Sequence, residues 1–276
     1  MFEEERKIFK RIHGYELDLN NPLTFNEKIV CKKLFDRNPL IPLTSDKYRV
    51  REYIRERIGL EAEKHFIPLL DVVDNPKNLK LDYEGEYIIK PNNAAGKWII
   101  RDTVGYVVDS KHTKYADLSK KQIIDICKKW LTDDYSSHWN EWAYSEVKPL
   151  IVVERLLRDS KGNIPNDYRI CMFGEKCKLI YVTTPRQATF RYYTGRWNPL
   201  GIQRENHIQG EIEPRPECFG KMMEFAKKLS KGWDFIRPDF YIVDGHIYFG
   251  ELTHYPGAGH GKLIKMIDEE LGRYWK

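Results

Sequence analysis

IRPDFYIVDGHIYFGELT, residues 236–253, sets two apolar runs on either side of an Asp244-Gly245 dipeptide, and that pattern predicts a β-hairpin. Its strands are expected over Phe235–Val243 and from there to Leu252. A two-residue turn would pair Asp239 with Gly250 and send Glu251 to the other face. A three-residue loop, Asp244 to His246, pairs Val243 with Ile247 and Asp239 with Glu251. We adopt the longer loop. The period-2 rule then places Arg237, Asp239, Glu251 and Thr253 on one face. Opposed carboxylates repel unless a cation lies between them, and Mg²⁺ takes one or two carboxylates plus substrate phosphates. The same periodicity also fits a polar stripe on an exposed edge hairpin.

Outward from this hairpin the pattern is mixed. Pro216–Ser230 has the apolar stripe of a helix, and Leu150–Leu156, Asp167–Phe173 and Lys178–Thr183 read as strands, with FGEK (173–176) as a hairpin turn. Upstream, a helix is expected over Ser119–Leu131 and short strands over Glu86–Lys90, Trp98–Arg101 and Tyr106–Val108. Thr24 and Glu27 offer a capping box for a helix from Phe25 toward Phe35, and Asp46 opens a second helix, Lys47–Ile58, ended by Gly59. The expected class is α+β. Its expected divisions are a helical segment (1–60), a small β-rich lobe (61–149) and a larger mixed lobe (150–276).

Composition narrows the function. The chain has 276 residues, 41% hydrophobic and 32% charged, enough to bury a sizeable core. Its net charge of +5 is spread along the chain, without the concentrated basic face or reading motif of a nucleic-acid binder. The opening MFEEERKIFK has no apolar core of a secretory signal, and apolar runs such as Leu150–Val153 are too short to span a bilayer. No membrane insertion is therefore expected, and five widely spaced cysteines without a C-x-x-C pair suggest a reduced, cytoplasmic protein.

Two further segments carry chemistry. In YIIKPNNAAGKW, Lys90 ends a β run before small and polar residues whose backbone N–H groups can approach phosphate, though no Walker A loop is present. A plain hairpin loop with a strand-end lysine is the alternative. Glu154 lies within the apolar LIVVERLL, where a carboxylate either meets a ligand or pairs with an arginine.

Taken in order, SDK (Lys47), IIKP (Lys90), VVERLL (Glu154), IRPD (Arg237, Asp239) and GELT (Glu251) resemble the ATP-grasp superfamily. More narrowly, PLTFNEKI, SDKYRVREYI, IIKPNNAAG, VVERLL, NDYRICMFG and the hairpin running on to HYPGAG resemble the TupA-like ATP-grasp proteins of bacterial polysaccharide and teichuronopeptide biosynthesis. The resemblance implies an ATP-grasp fold, two α+β lobes clasping ATP after a short helical segment. It implies that Lys47 and Lys90 hold the α- and β-phosphates and that Asn92, Ala94, Ala95 and Gly96 belong to a loop closing over them. Glu154 and the backbone near Leu156 would meet the adenine and ribose edge, and Asp239 and Glu251 would carry Mg²⁺. Arg237 would stabilise an acyl phosphate, with Lys90 assisting catalysis. Thr253 stands where many superfamily members have Asn, and Pro238 where they have an aliphatic residue. Proline cannot donate to a ladder, so its strand is expected at an edge or kinked.

The implied reaction is ADP-forming amide synthesis between a carboxylate and an amine. For the acceptor, TTPRQATFRYYTGRWNPLG (183–201) offers Arg186, Arg191, Tyr193 and Trp197 to an anionic sugar or glycan carboxylate, and His254 to proton transfer from the attacking amine or amino acid. The rival readings are a sugar kinase sharing the nucleotide site and a non-catalytic nucleotide-binding component of a capsule assembly complex.

Overall fold

A computed structural model describes residues 2–108, 115–116, 118–185, 189–202 and 208–276. The helices are α1 (Glu3–His13), α2 (Phe25–Phe35), α3 (Leu40–Ser45), α4 (Val50–Ile58), α5 (Lys120–Thr132), α6 (Tyr135–Trp139), α7 (Phe219–Ser230) and α8 (Lys265–Tyr274). The strands are β1 (Leu69–Val73), β2 (Tyr87–Pro91), β3 (Ile99–Arg101), β4 (Tyr106–Val108), β5 (Tyr115–Ala116), β6 (Ile151–Arg155), β7 (Asp167–Phe173), β8 (Lys176–Thr183), β9 (Thr189–Thr194), β10 (Pro199–Leu200), β11 (Ile208–Gln209), β12 (Phe235–Val243) and β13 (His246–Thr253). The class is α+β, as the sequence predicts. Two compact units are present, residues 39–165 and residues 1–38 with 166–276. These differ from the expected boundaries at 60/61 and 149/150, because β6 completes the sheet of the smaller unit between β1 and β2.

In the smaller unit the strand order is β1-β6-β2-β3-β4-β5, antiparallel throughout. Along β2, Tyr87 and Ile89 are buried while Ile88 and Lys90 are half-buried. The buried set packs with Ile99, Ile151 and Val153 against Ile123, Cys127 and Trp130 of α5. Each large apolar side chain so buried contributes about 1.5–3 kcal/mol. Because strand side chains alternate, the opposite face receives Lys90 and, through the pairing of Ile88 with Glu154, the Glu154 carboxylate. The expected helix from Lys47 instead starts at Val50. Asp46 Oδ1 accepts from the N–H groups of Tyr48 (2.8 Å) and Arg49 (3.1 Å), which holds residues 47–49 in a turn ahead of α4.

The larger unit orders its strands β10-β9-β8-β7-β12-β13, antiparallel, with β11 alongside β9 in parallel. Met222, Phe225, Ala226 and Leu229 of α7 are buried, and the Phe225 ring lies 5.3 Å from that of Phe249. Helix α2 begins on the predicted capping box, Thr24 with Glu27. Phe25 also joins a ring cluster in which Phe235 and Trp275 stack at 4.6 Å.

The hairpin of β12 and β13 departs from expectation in an informative way. Val243 pairs with His246, so the turn has two residues, with Asp244 at φ 48° and Gly245 at φ 83°. That turn alone would have sent Glu251 to the wrong face. Phe240 pairs with Phe249 but Pro238 pairs with Leu252, so Gly250 and Glu251 together oppose Asp239 in a β-bulge. The extra residue restores the phase, and Arg237 pairs with Thr253 as the longer loop would have required. Gly250 suits this place because a Cβ there would lie 3.0 Å from the Asp239 carbonyl oxygen and 3.1 Å from the Tyr241 ring. Nor is β12 an edge, since it lies between β7 and β13. The bulged residues lie on β13 rather than at Pro238, whose strand runs unbroken over Phe235–Val243, and Pro238 is absent from the β7–β12 register.

Among the described residues no helix is long and apolar enough to cross a membrane. All five cysteines are free, including Cys171 and Cys177 on neighbouring strands.

Candidate functional site

Each unit carries a cluster of charged residues on one face of its sheet. In the smaller unit the cluster centres on Glu154, almost wholly buried in β6. Its carboxylate accepts from Arg51 of α4 at 3.0 Å and pairs with Lys90 at 2.5 Å. Burial pushes the Glu154 carboxyl upward, but the two cations outweigh it and hold it below its ordinary range. Arg51 also donates to the Ile67 carbonyl at 2.6 Å and lies over the Phe66 ring. The arginine-paired alternative for Glu154 is therefore what this structure contains. Leu156 donates its N–H to the Glu86 carbonyl (3.0 Å), so that backbone group is already engaged.

Lys47 reaches the loop after β2. Its N–H donates to the Asn92 carbonyl at 3.1 Å and its Nζ to the Ala94 carbonyl at 2.6 Å. Asn92 is fully buried and is spent on structure. Its Oδ1 accepts from the Leu150 N–H (2.7 Å) and its Nδ2 donates to the Lys148 carbonyl (3.0 Å). Ala94 is buried as well, whereas Ala95 and Gly96 are exposed. Asn93 has a buried Oδ1 without a hydrogen-bond partner among the described residues.

The cluster of the larger unit is built on β12 and β13. Arg237 donates through Nε to Asp239 Oδ1 (2.7 Å) and through Nη2 to Asp239 Oδ2 (2.5 Å), a bidentate fork between residues two apart on one strand. The same Nη2 reaches Thr253 Oγ1 at 3.0 Å and Glu251 Oε1 at 3.4 Å, while Nη1 donates to the Tyr181 hydroxyl at 2.7 Å. Thr253 Oγ1 donates to Glu251 Oε1 at 3.1 Å. The four expected residues thus share one face. Arg237 and Asp239 are buried, which removes the exposed-stripe alternative for them, whereas the Glu251 side chain is 41% exposed on the outer strand.

Burial opposes the Arg237 charge, yet the Asp239 carboxylate carries its pKa well above the ordinary value. Burial likewise pushes the Asp239 carboxyl up, and Arg237 pulls against that rise. Arg169 of β7, directly across from Asp239, lies 3.7 Å from its Oδ2 and pairs with Asp167 at 2.7 Å. Arg169, Tyr181 and Arg51 were not singled out in the sequence. Their strand and helix positions alone gave no sign of which charge they would meet.

Whether a metal fits can be judged from the donors. Among the described residues no group of three His, Cys, Asp or Glu side chains could hold one. Asp239, Glu251 and Thr253, however, offer hard oxygens around a point already held by a positive nitrogen. That set suits a cation that takes few protein ligands and completes its shell with phosphate and water, as Mg²⁺ does.

The acceptor residues fall elsewhere. Tyr193 and Trp197 are buried and stacked on each other at 4.4 Å, and Trp197 also meets Phe219 of α7, so both rings pack in the core. Alternation on β9 puts Arg191 on the Tyr193 side, while Tyr192 pairs with Tyr181 on the Arg237 side. Arg186 lies outside the described residues. His254 is buried against Trp233, and burial lowers its pKa well below the ordinary value.

Comparison with known proteins adds the following. No curated protein matches the chain. Similar solved structures include D-alanine–D-alanine ligase from Helicobacter pylori, at 15% identity and TM-score 0.44, over 84% of this chain and 56% of that one. The Bacillus anthracis D-alanine–D-alanine ligase complexed with ATP is 12% identical, with TM-score 0.41, over 84% and 66%. The ATP-grasp ligase PsnB complexed with minimal precursor, Mg and ADP is 16% identical, with TM-score 0.41, over 86% and 61%. The chain thus spans 56% to 66% of the length of these proteins. The sequence model of the family described as TupA-like ATPgrasp matches residues 27–276, nearly the whole chain, and the protein belongs to the TupA-like ATP-grasp family.

Proposed function

We propose that this protein is an ATP-dependent carboxylate–amine ligase, forming an amide with release of ADP and phosphate. The observation that carries the reading is the oxygen set of Asp239, Glu251 and Thr253 gathered about one cationic nitrogen in a member of the ATP-grasp family. Asp239 and Glu251 would hold Mg²⁺, with Thr253 beside them; bound there, the ion would offset the negative charge of the transferring phosphoryl group.

The chain's own residues supply the rest. Lys47 and Lys90 carry the positive charge for the phosphates of ATP. In this reading Lys90 gives up part of its pairing with Glu154 on meeting phosphate, and Arg51 keeps the carboxylate compensated. Arg237 stabilises the charge on the acyl phosphate formed when the substrate carboxylate attacks the γ-phosphorus and ADP leaves. The amine then adds to the acyl carbon, phosphate departs, and the amine's surplus proton is lost to solvent or a base. Positioning and electrostatics do most of this work.

The finer proposal is that the carboxylate belongs to an anionic sugar or glycan and the amine to an amino acid or small amine of a bacterial surface polysaccharide. It rests on the family resemblance of the motifs between Pro22 and Gly259, not on an acceptor pocket.

Thermal unfolding with ATP, with and without Mg²⁺, tests the nucleotide reading in wild type and Glu251→Gln. Ligand binding to the native state raises the midpoint by mass action. A magnesium-dependent rise that weakens in the variant is expected, followed by ADP release only when a uronic acid and an amine are both present. No shift at millimolar ATP would overturn the proposal, and phosphate retained on the sugar product would replace it with the kinase reading.

A further inference from the structure

Nη2 of Arg237 occupies the point where the oxygens proposed for the metal converge. It lies 2.5 Å from Asp239 Oδ2, 3.0 Å from Thr253 Oγ1 and 3.4 Å from Glu251 Oε1. A magnesium ion binds oxygen at about 2.0–2.1 Å, so it cannot share that point with a guanidinium nitrogen. Two positive groups within contact distance would also repel by at least a few kT in a partly buried setting.

The arginine has a second hold. Its Nη1 donates to the Tyr181 hydroxyl at 2.7 Å, and its guanidinium carbon is 5.6 Å from the Tyr181 ring centre. Neither contact uses a carboxylate oxygen, so a pivot of the rigid guanidinium about Nη1 can keep the tyrosine while it frees Nη2 and breaks the Nε–Asp239 Oδ1 bond of 2.7 Å. The route for an incoming ion is also visible. Glu251 is 41% exposed on the outer strand, whereas Asp239 is 2% exposed behind it.

We propose that Arg237 is the resident cation of the metal-free chain, and that a divalent cation takes its carboxylate site by displacing Nη2 from Asp239, Glu251 and Thr253. The inference rests on the reading of Asp239 and Glu251 as metal residues and adds an order to it. The metal must first evict a like charge, so it binds weakly alone and well only with phosphate oxygens to share it. Once evicted, Nη2 no longer faces its own carboxylates and is available to an anionic substrate. A bare nucleotide without metal meets an arginine still committed to Asp239. The chain thereby couples arrival of the metal to exposure of the catalytic charge.

The test uses Mn²⁺ as the probe, with the free-ion electron paramagnetic resonance signal reporting binding to the full chain without nucleotide. Arg237→Met is expected to bind Mn²⁺ at least about tenfold more tightly than wild type, because the competing charge is gone. Its thermal midpoint is expected to fall without metal and to recover on adding Mn²⁺, while Mn²⁺ alone leaves wild type nearly unmoved. Arg237→Lys, which keeps a charge in a shorter side chain without the fork, should fold and bind Mn²⁺ no more than a few-fold more tightly than wild type. Arg237→Met binding no tighter than wild type would overturn the proposal. Should Arg237→Met fail to fold, Arg237→Gln, which removes the charge and keeps a polar side chain, takes its place, and Mn²⁺ binding by it no tighter than wild type would overturn the proposal. Wild type titrated with Mn²⁺ and ATP separates the two ideas. Uptake abolished by Asp239→Asn keeps the metal site whatever Arg237 does, and no uptake removes the site itself.

Discussion

The two charged clusters solve one electrostatic problem with different sequence spans. In the smaller unit a single carboxylate, Glu154, compensates two cations, and its partner Arg51 comes from 103 residues away in the chain. In the larger unit one guanidinium compensates a carboxylate two residues along its own strand and touches two more groups across a single hairpin. The first cluster has net positive charge and the second, with Glu251, net negative charge before Arg169 and Asp167 are counted. An anionic phosphate suits the first and a cation the second. Buried charges must be paired or they shift and neutralise, and in each unit the pairing comes from the chain's own residues.

The comparison can be broken by removing the central carboxylate from each cluster. Asp239→Ala leaves Arg237 buried beside Arg169 and should cost about 3–5 kcal/mol, read as a lower urea midpoint. Glu154→Ala exposes Lys90 and Arg51 to each other, but these are 18% and 12% exposed and keep some hydration. About 2 kcal/mol is expected there. A larger loss from Glu154→Ala than from Asp239→Ala would mean that burial does not rank the two clusters.

A smaller effect separates the units by pH. Burial depresses the pKa of His254, and also of His13, both in the larger unit. The unfolded chain then takes up a proton that the folded chain refuses. Stability is therefore full above the unfolded value near pH 6.5 and is lost as the pH falls below it. For His254 the loss is expected to stay under about 1 kcal/mol at pH 6 and to grow with further acid. The unfolding free energy of His254→Gln, measured from pH 7 to pH 5, should fall less steeply than that of wild type. Equal slopes would place the proton uptake elsewhere.

Local signals were legible in proportion to how few residues they needed. The Thr24–Glu27 cap depends on neighbours within four residues, and helix Phe25–Phe35 and strand Phe235–Val243 appear with the bounds expected, whereas the hairpin loop has two residues where three were adopted. The phase of the aromatic segment was not legible, because composition does not state it. Tyr192 and Tyr193 are adjacent, yet alternation sends the first toward Arg237 and the second into the core under α7. The ties of Asn92 were illegible for a related reason, since its partner Leu150 lies 58 residues away in the chain.

What the sequence determined by itself is the family, the α+β class and the placing of Arg237, Asp239, Glu251 and Thr253 on one hairpin. Periodicity and turn chemistry act over a few bonds and survive without a partner. Only the tertiary structure decided that Gly250 and Glu251 bulge opposite Asp239, that Arg51 meets Glu154, and that Arg237 already fills the carboxylate site. Those outcomes depend on which side chains burial forces together, and the cost of leaving a charge unpaired is set by neighbours that the local sequence does not contain.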